Sequence, residues 1–461
     1  MPSPQWHSMT QRTGHKTSAF HRVVRGTDVA YFSSVLLDPL TSEERAELLS
    51  QARPRRLPLA PKAEPARRHL PLADARAKDQ HYRPIYAVWE ITLACDLACR
   101  HCGSRAGRAR PDELSTEQCL DLVRQMAELG VREVTLIGGE AYLRPDWLDI
   151  VRAIRKHGMA PTMTSGGRGI DAARARGARE AGLGSVSISL DGLQATHDRL
   201  RGVEGSYVAA LNAMHELRRA GVPVAVNSQI NRLSMPELPE LLELIAQHGA
   251  HSWQIQLTVP MGRAADEPEV LLQPYDLLAL YPMLNELSER CRALGVRLFP
   301  GNNIGYFGPH ETALRPHVLA GYSTSCGAGK ALLGIEADGT IKGCPSLPTA
   351  TWAGGNVRDH SLLDIWERAA PLRYTRDRTV DDLWGYCRSC YYADSCRAGC
   401  TWTSDVFFGK PGNNPYCHHR ALEHERMGKR ERLVLVEQPP GTPFDHGRFD
   451  VIVEDLERTV P

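Results

Sequence analysis

Between residues 85 and 294 the sequence alternates β-branched or apolar runs with amphipathic patterns of helical period, six times over. Runs at 85–92, 131–137, 159–164, 184–190, 222–230 and 252–259 read as strands, each followed by a helical pattern, the last covering 274–294. Such alternation implies a parallel sheet with its helices outside. Six units rather than eight leave a ring incomplete, so the expected fold is α/β, a partial (β/α)6 TIM-like barrel. Barrels of this class place their chemistry at the C-terminal ends of the strands. The first helix carries a capping box at Ser115 and Gln118 ahead of Cys119, Leu122, Val123, Met126 and Leu129 at helical spacing. A second helix is expected to start at Pro145.

Ten of the twelve cysteines fall into two sets. Cys95-x3-Cys99-x2-Cys102 directly follows the first strand. Three thiolates presented to a cubane with four iron corners leave one iron free to chelate a small molecule. A zinc knuckle or buried free thiols would be the plainer readings, but structural zinc sites close with four ligands, and no fourth Cys or His follows Cys102 at finger spacing. His101 lies inside the loop. One β/α unit later, TLIGGEAYLRP ends an apolar run with Gly138, Gly139 and Glu140, and paired glycines allow close approach to the backbone. The tips of the third and fourth strands carry Ser165, and Ser189 with Asp191.

The second set is Cys326-x12-Gly339-x4-Cys344, then Cys387-x2-Cys390-x5-Cys396-x3-Cys400, then Cys417. A pair of zinc ribbons also uses C-x2-C units, yet seven cysteines leave one ribbon short of four thiolates. Cys119 and Cys291 sit in helical patterns and read as small buried apolar residues.

The cysteine loop followed by Gly138-Gly139-Glu140 resembles the signature of the radical S-adenosylmethionine (SAM) superfamily, whose core fold is a partial barrel. The seven downstream cysteines resemble its SPASM extension. The resemblance implies a 4Fe-4S cluster on Cys95, Cys99 and Cys102 that binds SAM and cleaves it reductively to a 5'-deoxyadenosyl radical. It further implies SAM contacts from Gly138, Gly139 and Glu140 to the amino group, Ser189 near the ribose, Arg201 at the carboxylate and His101 at the adenine. One auxiliary 4Fe-4S cluster would take Cys387, Cys390, Cys396 and Cys417, the other Cys326, Cys344 and Cys400. Sulfatase-maturing relatives carry a cysteine six residues after the first of these and an aspartate after the second. Here Leu332 and Pro345 stand there, which leaves the fourth iron of that cluster open or bound by another group.

The resulting organisation is an N-terminal extension and linker at 1–84, a core barrel at 85–300, a SPASM domain at 301–425 and a β-rich tail at 426–461. The extension is proline-rich over 54–71, with a helix expected from Thr41 or Ser42 and a tail that packs against the barrel. Asp338-Gly339 signals a hairpin that delivers Cys344, GNVRDHSLLDIWERA an amphipathic helix, and ERLVLVEQPPGTPFDHGRFDVIVEDL a strand, loop and strand. Edges of that last pair would either accept an extended peptide or form a plain hairpin. A net charge of +1 excludes strong steering toward nucleic acid. No apolar stretch has signal-peptide or membrane-spanning length, so a cytoplasmic protein without membrane contact is expected.

By the resemblance, the expected activity is that of a peptide maturase. It would abstract hydrogen from a ribosomally made precursor peptide and form a cross-link, thioether or oxidised product, with flavodoxin or ferredoxin as electron donor. The alternatives are a radical SAM enzyme acting on a small molecule, in haem-type cofactor synthesis or alcohol oxidation, and a non-catalytic iron-sulfur or zinc-binding protein. Asp191 and Tyr142, with Asp405 and Tyr416, are candidates for acid or base work only as polar residues near the cysteine-bearing segments.

Overall fold

The computed structural model describes residues 41–43, 46, 70–316 and 326–456, and the helix expected from Thr41 or Ser42 is represented by Ser42, Glu43 and Ala46. Six strands fall where the alternation places them: β1 Tyr86–Glu90, β2 Glu133–Ile137, β3 Ala160–Ser165, β4 Ser185–Ser189, β5 Val224–Ile230 and β6 Ser252–Leu257. All pair in parallel and in order. Helices α1 Thr116–Leu129, α2 Trp147–Lys156, α3 Ala172–Ala181, α4 Gln194–Arg201, α5 Ser206–Arg219, α6 Leu238–Gln247 and α7 Leu277–Ala293 connect them. Helix α1 has both halves of its capping box and buries Cys119, Leu122, Val123, Met126 and Leu129. Helix α2 begins at Trp147, two residues later than expected. Pro145 disfavours the helical conformation at the preceding Arg144, which is extended at φ −77°, ψ 124°.

The sheet runs further than six strands. β7 (Arg297–Pro300) joins β6 in parallel, and its exposed Arg297 and Phe299 explain why its four residues lack an apolar signature. At the opposite edge β8 (Leu332–Ile335) pairs in parallel with β1, placing Leu332 beside Tyr86. From there the chain doubles back antiparallel through β9 (Thr340–Lys342) and β10 (Gly355–Asn356). The turn into β9 is the expected one. Gly339 takes φ 88°, and Asp338 Oδ1 accepts from Thr340 N at 2.9 Å. The cysteine-rich segment is thus hydrogen-bonded into the barrel sheet itself.

Strand alternation separates two environments. Ala87 and Trp89 of β1 are fully buried in the apolar core, whereas Tyr86, Val88 and Glu90 face a cavity on the other side. In β5, Val224, Val226 and Ile230 are core and Asn227 and Gln229 face the cavity.

Helices α8 (Leu362–Arg368) and α9 (Ala370–Asp377) follow β10, with Ser361 capping α8. The lead-in residues 70–84 make their polar contacts with this pair rather than with the barrel: Ala73 N donates to Arg368 O, and Trp366 Nε1 to Tyr82 O. Asp79, wholly buried, binds Arg76 at 2.7 Å and Arg373 and Arg376 at 3.0 Å. Two further helices, α10 (Thr401–Phe408) and α11 (His418–Arg426), precede an antiparallel hairpin of β11 (Lys429–Glu437) and β12 (Arg448–Asp455). No helix among the described residues is long and apolar enough to cross a membrane.

Asp79→Ala leaves Arg376 buried without its counter-charge, a loss expected to cost about 3–5 kcal/mol. A fall of that size in the unfolding free energy from urea titration, with faster proteolysis ahead of residue 85, is the expected readout.

Candidate active site

The loop after β1 is closed at its base by paired backbone bonds, Cys95 N to Gly107 O at 3.1 Å and Gly107 N to Leu93 O at 2.9 Å. The C-terminus of α4 supports its middle through Ala98 N to Arg201 O and Arg100 N to Leu200 O. Each of the three sulfurs receives an N–H donor: Leu97 N on Cys95 at 3.4 Å, Ala106 N on Cys102 at 3.4 Å, and Arg201 Nη1 on Cys99 at 3.7 Å. Such bonds stabilise sulfur as thiolate and tune a bound cluster.

Three arginines brace the loop, Arg263 from outside and Arg100 and Arg105 from within. Arg263 donates to the carbonyls of Cys99 and Ala106, Arg100 pairs with Glu267, and Arg105 pairs with Asp266 and Asp445. Asp445 belongs to the β11–β12 connection. That connection also hydrogen-bonds the loop directly, Phe444 N to Gly103 O at 3.0 Å, and its backbone carries Phe444 at φ 57°. None of Asp445, Phe444 or Met261, whose Cε lies where a Cβ on Gly103 would sit, has a local sequence signal.

Gly138 and Gly139 line the cavity and also let two backbones meet. A Cβ on Gly138 would lie 2.2 Å from Thr92 O, and one on Gly139 2.1 Å from Ala94 O and 2.7 Å from Cys95 Cβ. The glycines let the β2 exit abut the cysteine loop, tied by Gly139 N to Thr92 O and Glu140 N to Ala94 O, both 2.8 Å. Glu140 is buried and accepts from Ser165 Oγ and Gly166 N at 2.6 Å each. Burial still dominates and pushes its carboxyl up to about 7.

Asp191, fully buried, meets Arg201 Nη2 at 2.6 Å and His101 Nε2 at 3.2 Å and accepts from Gln229 N at 2.9 Å. Burial would raise its pKa, but Arg201 and His101 outweigh it and hold the carboxyl well below its usual range. Ser189, His101, Arg201, Glu140 and the glycines all line one cavity of about 610 Å3; Asp191 lies behind it. Tyr142, Asp405 and Tyr416 do not reach its wall. Tyr142 donates to Asp96 and accepts from Gly169 N, Asp405 accepts from Trp352 Nε1, and Tyr416 donates to Leu272 O.

The downstream cysteines line two cavities. Cys326, Cys344 and Cys400 line the same cavity as the first loop. Cys387, Cys390, Cys396 and Cys417 line a separate small cavity walled by Tyr306, Phe307 and Tyr392. Tyr306 touches both sets: its hydroxyl accepts from Cys400 N at 3.0 Å and its carbonyl from Cys417 Sγ at 3.7 Å.

The donor set fits clusters better than single ions. Burial pushes Cys99 and Cys400 up to about 11 and Cys344 and Cys396 up to about 12, so these thiols ionise only beside added positive charge. Around one zinc ion thiolate sulfurs lie roughly 3.8 Å apart. Among the described residues the only trio of ligand atoms mutually within 4.8 Å is Cys95, Asp96 and Glu140, so none of the three cysteine sets is gathered that closely. On the cavity wall, Asn227 Oδ1 and Thr258 Oγ1 are buried without a hydrogen-bond partner in the protein, open capacity for a polar ligand.

Gly139→Ala is expected to cost about 1–3 kcal/mol by overpacking and to lower iron uptake at the first loop. Urea unfolding and iron content after reconstitution measure both effects.

The radical SAM superfamily model matches residues 89–258, and the model of an iron-sulfur cluster-binding domain, SPASM, matches residues 326–391. The mycofactocin maturase MftC of Mycobacterium ulcerans (strain Agy99) is 32% identical over 360 residues, 76% of this chain and 93% of that protein. The AdoMet-dependent heme synthase of Methanosarcina barkeri (strain Fusaro / DSM 804) is 28% identical over 348 residues, 73% and 97% of the two chains. Among solved structures, Streptococcus suis SuiB bound to S-adenosylmethionine shares the fold at TM-score 0.58 and 17% identity, over 73% of this chain and 76% of that one. With the cysteine loop, the glycine-glutamate turn and the downstream cysteines in place on such a barrel, the chain belongs to the radical SAM superfamily, as a SPASM-domain enzyme that uses SAM, a 4Fe-4S cluster and auxiliary iron-sulfur clusters.

Proposed function

We propose that this enzyme is a peptide maturase. Cys95, Cys99 and Cys102 hold the SAM-binding cluster, and Glu140, with Ser165 and Gly166 fixing its two oxygens, receives the SAM ammonium. That cation would return Glu140 to its ionised form. Arg201 and His101, both oriented by Asp191, and Ser189 complete the SAM side of the cavity. Cys326, Cys344 and Cys400 hold one auxiliary cluster, and Cys387, Cys390, Cys396 and Cys417 the other. When bound, SAM and its cluster supply the radical that removes a hydrogen atom from the substrate.

The observation that carries this reading is that two cysteine sets more than 200 residues apart in sequence open on one cavity of about 610 Å3. A substrate held there lies between the site of hydrogen abstraction and an auxiliary cluster able to accept an electron.

A peptide suits the wall. Asn227, Gln229, Gln254 and Gln256 present amides that pair with a peptide backbone. A tetrapyrrole carries several carboxylates and calls for cations, whereas the basic side chains on this wall are Arg201 and His101, both already engaged with Asp191. The names of relatives point both ways: MftC is a maturase, and the heme synthase acts on a small molecule. SuiB has been crystallised with its precursor peptide SuiA. The product here is an oxidised or cross-linked peptide, and the electron donor a flavodoxin or ferredoxin.

Co-expression with each short peptide encoded beside the gene, under low oxygen, tests the proposal by intact mass. A loss of two hydrogens that vanishes in the Cys95, Cys99, Cys102 triple-alanine variant is expected. Unchanged masses, with deuterium labelling excluding epimerisation, and turnover of a tetrapyrrole instead would overturn it. Cys387→Ala is expected to retain SAM cleavage while peptide product falls to background, as measured by 5'-deoxyadenosine and peptide mass in one assay.

A further inference from the structure

Beneath the cavity lies a cluster of buried charges. Glu336 binds Lys342 at 2.7 Å and Arg110 at 2.9 Å, and Asp338 approaches Arg110 at 3.8 Å. Glu90, at the tip of β1 and 3% exposed, stands 3.6 Å from Arg110 Nη2. Of these groups Glu90 alone lines the cavity.

Only two carboxyl groups line that wall among the described residues, Glu90 and Glu140. Both Glu140 oxygens are occupied by Ser165 and Gly166, on the SAM side. Glu90 Oε1, by contrast, is buried and makes no hydrogen bond within the protein. The carboxyl accepts a backbone hydrogen bond from Ala337, and the nearest counter-charge to Oε1 is Arg110 Nη2 at 3.6 Å, too long for a hydrogen bond; a desolvated carboxyl oxygen without one at the edge of a reaction cavity is costly to keep.

We infer that Glu90 is the proton acceptor for the step that turns the substrate radical into product, an assignment that rests on the peptide-modification reading above. After a hydrogen atom has left a substrate carbon, closing the radical to a cross-link or double bond releases one proton and one electron. The proton passes to the Glu90 carboxylate, whose O–H bond forms as the substrate X–H or C–H bond breaks. The electron is taken by an iron-sulfur cluster of the auxiliary type, a one-electron acceptor. Burial pushes Glu90 up to about 8, opposed by Arg110 and reinforced by Glu336. A base of that strength is poised near the working pH of a cell. Because Glu90 must be ionised to accept a proton, product formation should rise as pH passes upward through about 8. Arg110, Glu336 and Lys342 are the charged groups that face it.

Two measurements on the reconstituted full-length enzyme test this. In the first, substrate-free infrared titration should show a protonated carboxyl band that disappears as pH rises through about 8 and is missing from Glu90→Gln. In the second, with the co-expressed peptide found to be modified, Glu90→Gln should keep its iron content and SAM cleavage. Its product per 5'-deoxyadenosine should fall by roughly 100-fold or more, with the pH dependence gone and partial return in Glu90→Asp. Wild-type product yield in Glu90→Gln, an unaltered pH profile, or iron loss in both variants would overturn the assignment, the last by showing a structural ion pair. A wild-type enzyme that modifies no peptide defeats the substrate reading alone, since the infrared titration judges Glu90 without substrate.

Discussion

Everything at this site depends on two backbones touching. The exit of β2 lies against the start of the cysteine loop so closely that the positions of two absent Cβ atoms fall about 2 Å from carbonyl oxygens. The contact prolongs the parallel pairing of β1 and β2 past the strand ends, with Gly139 and Glu140 donating to Thr92 and Ala94. Cys95 and Glu140, 45 residues apart in sequence, thereby come within 4.8 Å of one another. The thiol proposed to bind iron and the carboxyl proposed to receive an ammonium are set by one rigid joint rather than by two flexible loops.

The charge pattern around the cavity follows the same economy of placement. Arg201 neutralises Asp191 at the SAM end, and Arg110 with Lys342 neutralises Glu336 at the floor. What remains facing the substrate is mostly amide, hydroxyl and apolar surface. Lys342 adds a second role, its ammonium lying 3.7 Å from the ring centroid of Phe444, so the buried charges also hold the aromatic side chain contributed by the C-terminal connection.

Much of this was legible in the sequence where the signal is local. Strand and helix periodicity located the six barrel units, the capping box located α1, and Asp338-Gly339 located the hairpin. The first cysteine loop is legible as one group from its short intervals, whereas the division of the downstream seven came from the family resemblance, since Cys400 follows Cys396 closely yet lines the other cavity. Pairing at long range was not legible. β7 is too short and too exposed to show a pattern, and the parallel join of β8 to β1 links residues far apart with no turn between them. The arginine braces span 157 to 340 residues, and nothing near Arg105 or Arg263 announces their partners. At the glycine pair the sequence shows that a Cβ is excluded but not that the carbonyls of Thr92 and Ala94 help to exclude it.

The brace between Arg105 and Asp445 has a temporal side. The two residues are 340 positions apart. At ordinary elongation rates the first cysteines leave the ribosome roughly 20 to 70 s before the segment that closes over them. Through that interval the loop has its internal bonds but neither Asp445 nor Phe444 against it. The side of the loop that Phe444 and Asp445 cover is therefore the last of its contacts to be made. Closure of the loop thus waits on a segment 340 residues downstream.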